Sequence, residues 1–187
     1  MLTKLIEEYR ETEQIIKGMG INRNTPKNKQ IMYEACRLGE DIVAEVMMRH
    51  YKNTTTIPIP HTDYTGDFYL KSSATNKKIM IEVKTESYKS NNIFFETSSK
   101  GILSHYLKVA KDHKDMLLIY SYPDQRNKII IFKMKDLLPH LLNNTIGRAI
   151  KSRYNTTGIL LDSSEAVRAP GYVATLPILP HGIGYAI

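Results

Sequence analysis

The fold is decided by residues 78–85, Lys-Ile-Met-Ile-Glu-Val-Lys-Thr, and by the shorter run 66–70, Gly-Asp-Phe-Tyr-Leu, that precedes them. Successive residues of an extended strand point to opposite faces, so Glu82 and Lys84 should share one face while the aliphatic residues between them share the other. If the strand that begins at Asp67 pairs with this one, a second carboxylate joins them. Such a set fits a hard divalent cation with a lysine beside it, which is the minimum for metal-assisted phosphodiester hydrolysis.

Length and composition indicate one soluble domain with a buried core. The chain has 187 residues, of which 42% are hydrophobic and 24% charged, as in ordinary globular proteins. No apolar run approaches the roughly 18 residues that a membrane helix needs. The N-terminus mixes charged with apolar residues and lacks a signal-peptide core. We therefore expect a cytoplasmic protein, in the host-cell cytoplasm if it is phage-encoded, with no membrane association.

Several classes of site lack support in the sequence. The single cysteine, Cys36, excludes an internal disulfide and a cysteine-based zinc cage, and its helical context predicts a buried spectator thiol. The histidines show no His-Glu-x-x-His spacing, which disfavours a zinc hydrolase. Neither a P-loop nor a GxGxxG turn is present, so no nucleotide cofactor is expected.

The charge balance points to an acidic partner. The formal net charge is +7 with a pI near 9.3, and phosphates reward clustered lysine and arginine through counterion release. Many of the lysines surround the proposed site in sequence, with Tyr88 and Tyr106 interleaved. They form either a DNA-binding rim or ordinary solvated faces. These lysines are Lys71, Lys77, Lys78, Lys89, Lys100, Lys108, Lys111 and Lys114.

Hydrophobic periodicity divides the chain into helices and strands. It predicts a helix from Leu2 to about Gly18, a polar loop over 22–29, and helices over about 30–51, 99–113 and 135–143. Strands are predicted at 54–60, 67–72, 78–85, 93–97, 116–122 and 128–134, the first three forming an antiparallel meander.

This order of elements is typical of an α/β fold with a mixed central β-sheet flanked by helices. We expect a single domain over 1–168, with its core at about 37–134. The segment 169–187 is nearly uncharged and should be a tail packed on the domain or on a second subunit.

Two further features accompany the Asp67, Glu82 and Lys84 set. Glu40 lies on the second predicted helix, which would bring it to the meander if that helix packs on the sheet. The run Ser98-Ser99-Lys100-Gly101 is predicted to open the next helix, where free N–H groups can seat a phosphate.

Together these residues resemble the PD-(D/E)xK nuclease superfamily, with Gly66-Asp67 in place of Pro-Asp and a strict Glu82-Val83-Lys84. The resemblance covers about residues 37–134 and implies a restriction-endonuclease-like core. The stretch 81–101 looks like small phage-type members of the superfamily, or Holliday-junction-resolvase-like ones.

The resemblance implies a Mg²⁺- or Mn²⁺-dependent deoxyribonuclease, most simply an endonuclease. Asp67, Glu82 and the Val83 carbonyl would hold the metal, with Glu40 completing the site. Lys84 would orient or help deprotonate the attacking water and would stabilise charge in the transition state. DNA contacts would come from the loops and helix ends near the site. The residues expected to make them are Lys71, Lys89, Ser99, Lys100 and Lys108.

Several assignments stay open at this stage. Glu40 is equally well explained as a helix-surface carboxylate paired with a basic residue, and Asp41 or Glu45 replaces it if the helix phase differs. Asp63 is a rival to Asp67. Glu96 supports the metal ligands from behind if its strand adjoins the lysine strand, and otherwise is an ordinary charge at a strand end.

The rival function is a catalytically inactive nucleic-acid-binding or protein-interaction module on the same fold. A homodimer, with contacts from the tail or the first helix, is also expected.

Overall fold

The chain folds as a mixed α/β protein in a computed structural model that describes residues 1–19, 25–60, 65–85, 92–113, 115–123, 126–151 and 155–179. The helices are α1 Leu2–Gly18, α2 Pro26–His50, α3 His105–Asp112 and α4 Met134–Leu142, with a 3₁₀ turn at Ala166–Arg168. The strands are β1 Thr54–Pro58, β2 Phe68–Ser72, β3 Lys78–Thr85, β4 Asn92–Ser99, β5 Ile102–Leu103, β6 Leu117–Tyr122, β7 Lys128–Lys133, β8 Arg148–Lys151, β9 Thr156–Asp162 and β10 Tyr172–Pro177.

The central sheet has six strands in the order β1-β2-β3-β6-β7-β10. Strands β1, β2 and β3 form the expected antiparallel meander. Strand β6 lies parallel to β3, with Glu82 beside Leu118, and β7 and β10 continue antiparallel. The sheet is therefore mixed, as the sequence predicted.

Both faces of this sheet are covered. On one face Ile81 and Val83 join the hydrophobic core made with α1 and α2. On the other face Met80 joins a second core with α3, α4 and the strands of the smaller sheet. The alternation predicted for β3 is confirmed, and Glu82 and Lys84 share the Met80 face.

A second, four-stranded sheet in the order β5-β4-β9-β8 was not expected. It packs on the central sheet through an edge-to-face contact between Phe95 and Tyr120, whose ring centroids are 5.3 Å apart. Tyr120 also donates a hydrogen bond of 2.6 Å to the Phe94 carbonyl. Gly158 makes this sheet possible, because a Cβ at that position would overlap the Phe94 ring.

The predicted helix over 99–113 is wrong in its first third. Strand β4 continues to Ser99, which pairs with Thr156 of β9, and the chain turns at Lys100 and Gly101, both with positive φ. Helix α3 begins only at His105. Ser98–Gly101 is thus a hairpin turn and not the helix N-terminus that was expected to seat a phosphate. Pairing with a strand distant in sequence overrode the local helical pattern.

Two other boundaries differ from the sequence prediction. Helix α2 begins at Pro26, before the predicted start near residue 30, because the Thr25 hydroxyl caps it by accepting from the Asn28 N–H at 3.2 Å. Within the segment 169–187, Tyr172–Pro177 form β10 on β7, and residues 180–187 lie outside the described chain. No helix among the described residues combines the length and apolarity needed to cross a membrane.

Candidate active site

The position of Asp67 is fixed by two hydrogen bonds to β3, made just before β2 begins at Phe68. Its N–H donates to the Ile81 carbonyl at 2.9 Å, and its Oδ2 accepts from the Val83 N–H at 2.6 Å. The Asp67 carboxylate thus takes the place of the main-chain carbonyl that would accept the next hydrogen bond of the β2–β3 ladder. Gly66 permits the close approach, since a Cβ there would lie 3.1 Å from the Ile81 carbonyl oxygen. In an extended strand the N–H and C=O of one residue point to the same edge, so the Val83 carbonyl faces the Asp67 side of β3.

Glu82 and Lys84 project together from the part of β3 that pairs in parallel with β6. The Lys84 ammonium donates a hydrogen bond to Glu82 Oε1. The Glu82 side chain is 13% exposed and that of Lys84 41% exposed, so both side chains are partly accessible from the cleft that they line.

Glu40 reaches the same place from α2. The preceding residue, Gly39, packs directly on Thr85 at the end of β3, where any Cβ would overlap the threonine hydroxyl. This close packing brings Glu40 beside Asp67 and Glu82, and all three line the cleft.

The alternatives to Glu40 are placed elsewhere. Asp41 pairs with Arg37 at 3.3 Å, and Glu45 pairs with Arg49 at 2.8 Å, both across one turn of α2. Neither carboxylate lines the cleft. Asp63, the rival to Asp67, lies outside the described residues.

The cleft consists of two connected cavities. The outer one has a volume of about 850 Å³ and lies along α2, and the inner one, of about 470 Å³, extends between β3, β4 and α3. Five residues line both cavities and join them. They are Cys36, Glu40, Asp67, Glu82 and His105.

Burial, and after it mutual repulsion, acts on the carboxylates Asp67 and Glu40. Burial, followed by the charges of Glu82 and Glu40, raises the pKa of Asp67 to about 7, against the lowering effect of the Val83 N–H and Lys84. Burial, followed by Asp41 and Glu82, raises the pKa of Glu40 to about 7. A bound cation would relieve this repulsion, which is the behaviour expected of a cation site.

Lys84 is held in its charged form. Burial acts to lower its pKa, but the charge and hydrogen bond of Glu82 and the charge of Asp67 outweigh it and raise the pKa. The ammonium also lies 5.4 Å from the centre of the Tyr106 ring, within the range of a cation–π contact. Burial is also the main cause of the raised pKa of the Tyr106 phenol.

Glu96 faces the inner cavity from the second sheet. Its strand, β4, does not adjoin the lysine strand β3 within a sheet, because β4 pairs with β9 and β5. Glu96 nevertheless lines the inner cavity with Glu82 and Lys84. Glu96 Oε1 accepts from the Ser104 hydroxyl at 2.9 Å, and its main-chain carbonyl accepts from the Tyr106 hydroxyl at 2.8 Å. Glu96 therefore ties the start of α3 to β4.

The donor set suits a hard divalent cation. Asp67 and Glu82 are each anchored through one oxygen, Oδ2 and Oε1, so the other oxygen of each can face a ligand. With Glu40 and the Val83 carbonyl they make an all-oxygen set of the kind Mg²⁺ takes together with several waters. Within the described ranges, no group of three or more His, Cys, Asp or Glu side chains is already arranged around a metal position.

The residues expected to contact DNA are dispersed. Lys71 lies near the far end of β2, about 13 Å along the strand from Asp67. Lys100 and Ser99 are at the β4–β5 turn, and Lys108 is exposed on α3. None of these four lines the cleft, and Lys89 falls outside the described residues.

Three cleft residues were missed or misjudged from the sequence. Cys36, predicted to be buried, is exposed on α2 and lines both cavities, because the helix phase that buries Leu38 turns it outward. Tyr33 lines the outer cavity, and its spacing of seven residues from Glu40 was a readable signal of a shared helix face. His105 is at the first position of α3, which the sequence did not locate.

Comparison with known proteins adds no relationship: no protein-family model and no curated protein sequence matches the chain.

Proposed function

We propose that the protein is a metal-dependent deoxyribonuclease of the PD-(D/E)xK type that hydrolyses DNA phosphodiester bonds. The observation that carries the proposal is the convergence of Asp67, Glu82, Lys84 and Glu40 on one cleft from three separate elements. Carboxylates and a lysine gathered in this way match the requirements of phosphodiester hydrolysis.

The order of elements supports a restriction-endonuclease-like core. Helix α2, the β1–β3 meander, helix α3 and the parallel strand β6 follow one another as the sequence resemblance implies, with the β4–β5 hairpin added before α3. In this proposal the central sheet supplies Asp67, Glu82 and Lys84, and α2 supplies Glu40.

Each residue has a chemical role in the proposed reaction. Asp67, Glu82 and the Val83 carbonyl would hold Mg²⁺ or Mn²⁺, with Glu40 binding directly or through a water. When bound, the cation supplies Lewis-acid polarisation of the phosphate and activation of the attacking water. Lys84, held as an ammonium, would stabilise the charge that develops on the phosphate oxygens in the transition state.

The decisive experiment is a cleavage assay on purified protein. Supercoiled plasmid, linear duplex, single-stranded and branched DNA are incubated with Mg²⁺, Mn²⁺ or EDTA. We expect cleavage that requires the cation and that falls by at least about 10²-fold in each of Asp67→Asn, Glu82→Gln and Lys84→Met, the scale measured for single groups that stabilise transition-state charge.

Glu45→Gln is the matched control, because Glu45 is a carboxylate on the same helix as Glu40 but is paired with Arg49 outside the cleft. It should cleave like the wild type. Circular dichroism of each variant tests that the fold is kept. Full activity in Glu82→Gln would contradict the assignment.

Two observations favour the alternative, a nucleic-acid-binding or protein-interaction module without turnover. Across the part of the chain that the structure describes, no metal-binding group of three side chains is preformed, and Glu82 is engaged by Lys84. This alternative predicts DNA binding that is insensitive to EDTA, with no cleavage by the wild type under any cation.

A further inference from the structure

The outer cavity carries an aromatic side chain that the proposed reaction does not use. Tyr33 is 71% exposed, whereas the cleft tyrosines Tyr106 and Tyr120 are buried. It therefore offers a ring to a ligand in the cleft. Seven residues separate it from Glu40, which puts the two about 10 Å apart along α2 on the same helix face.

The surroundings of Tyr33 suit a nucleobase better than a phosphate. Among the described residues, four carboxylates line the outer cavity, Glu34 among them, with one guanidinium, that of Arg37, and the imidazole of His105. Arg37 is already paired with Asp41 at 3.3 Å. A phosphate at this point would face uncompensated negative charge, whereas a neutral base stacked on an aromatic ring carries no such penalty.

Hydrogen-bonding groups flank the ring. The Gln30 amide precedes Tyr33 by nearly one helical turn and lines the same cavity, so a donor and an acceptor lie beside the stacking surface. In a paired duplex each base is covered on both faces, so a side chain can stack on it only if the nucleotide is unpaired or extruded.

We infer that the outer cavity is a binding subsite for one unpaired nucleotide, with Tyr33 stacking on its base while the neighbouring phosphate lies at the proposed cation site. This inference rests on the proposed function and names its substrate class: single-stranded DNA, or the unpaired part of a frayed or branched duplex. Tyr33 is then the residue that selects for such DNA.

The test is fluorescence anisotropy with a labelled single-stranded DNA and with its fully paired duplex, each in Ca²⁺ and in EDTA. We expect Tyr33→Ala to weaken single-strand binding by about 5- to 150-fold, which corresponds to about 1–3 kcal/mol for one base–aromatic stack. Duplex binding should change less than about twofold. Tyr33→Phe should bind like the wild type because stacking needs only the ring.

Tyr51→Ala is the control, since Tyr51 is also an exposed tyrosine at the end of α2 but does not line the cleft. It should leave both affinities unchanged. Equal losses for single strand and duplex in Tyr33→Ala, unchanged single-strand binding, or no single-strand binding by the wild type would each overturn the inference.

The two proposals fail in different ways. Cleavage that is unaffected by Tyr33→Ala, together with unchanged binding, refutes the subsite alone. Selective loss of single-strand binding in a protein that never cleaves DNA refutes the nuclease and leaves the subsite standing.

Discussion

Lys84 is held from two sides, by a carboxylate and by an aromatic ring. Glu82 accepts its hydrogen bond, and the Tyr106 ring lies 5.4 Å from its nitrogen. The ring is itself fixed, because the Tyr106 hydroxyl donates to the Glu96 carbonyl. In the proposed reaction Tyr106 would therefore act by positioning Lys84.

We predict that Tyr106→Leu lowers kcat of the proposed cleavage by about 2- to 30-fold, the equivalent of a cation–π contact of about 0.5–2 kcal/mol, while Tyr106→Phe keeps most of it. Tyr120→Leu is the comparison, because Tyr120 is a buried tyrosine whose hydroxyl also donates to a β4 carbonyl. It should lose thermal stability to a similar extent with a smaller change in kcat. A Phe variant as slow as the Leu variant would contradict a role for the ring.

The paired carboxylates make the stability of the metal-free protein dependent on pH. Asp67 and Glu40 have folded-state pKa values of about 7, above ordinary carboxyl values near 4. The folded state thus keeps protons that the unfolded chain has lost. Their contribution to stability is fully present below about pH 4 and is lost as the pH rises through about 7.

We therefore expect the melting temperature in EDTA to fall from pH 4 to pH 8, and to fall less in Asp67→Asn, where one of the repelling groups is neutral. At pH 8, added Mn²⁺ should raise the melting temperature of the wild type and much less that of Asp67→Asn. Asp112→Asn, at an exposed carboxylate outside the cleft, is the control. Identical responses to Mn²⁺ in Asp67→Asn and the wild type would argue against a cation at Asp67.

At the scale of elements, the site depends on how closely α2 packs on the end of β3. Gly39 is buried against the Thr85 side chain, and the residue after it is Glu40. With any larger residue at position 39, the Thr85 side chain or the helix must shift, and a shift of the helix would move Glu40 with it.

We predict that Gly39→Ala lowers the free energy of unfolding by about 1–3 kcal/mol, the usual range for overpacking, and reduces cleavage. The double variant Gly39→Ala with Thr85→Ala should recover part of both losses, because it removes the overlapping hydroxyl. Gly18→Ala, at a helical glycine with no atom near its Cβ position, should cause no loss. Chemical denaturation measures all three, and a neutral Gly39→Ala would show that α2 is less closely held.

At the scale of the whole molecule, little of the net charge of +7 lies in the cleft: among the described residues that line it, the lysine and arginine side chains are those of Lys84 and Arg37. The lysine nearest the carboxylates, Lys84, is paired with Glu82. Phosphate contacts away from the cleft must then come from exposed lysines such as Lys100 and Lys108.

We predict that duplex binding in Ca²⁺ weakens steeply as the salt concentration rises. If each side chain contacts one phosphate, Lys100→Ala and Lys108→Ala should each reduce the slope of log K against log salt by about 0.9. Lys4→Ala is the control, since Lys4 is paired with Glu8 on α1. A slope near zero for the wild type would rule out binding through the phosphate backbone.

The homodimer stays a prediction. The described part of the tail is used within the chain as β10, an edge strand of the central sheet. Dimer contacts are still expected from the tail, including β10, or from α1.

Local periodicity is enough to show several features of the site. The alternation in β3 puts Glu82 and Lys84 on one face, and the apolar stripe of α2 is readable in Leu38, Ile42 and Val46. These patterns arise from the strand and helix repeats, so neighbouring residues are enough to show them.

Tertiary contacts set four features that the sequence did not predict: the second sheet, the late start of α3, the use of the tail as β10 and the exposure of Cys36. The reason is that these features depend on contacts between residues far apart in the chain. For example, Thr97 on β4 and Thr157 on β9 are hydrogen-bonded although 60 positions separate them. The sequence of a strand contains no periodic pattern that identifies the strand with which it pairs. Burial against that partner then overrides local propensity. Glu40 lies between the two cases, because the sequence placed it on a helix and the packing of Gly39 on Thr85 brought it into the cleft.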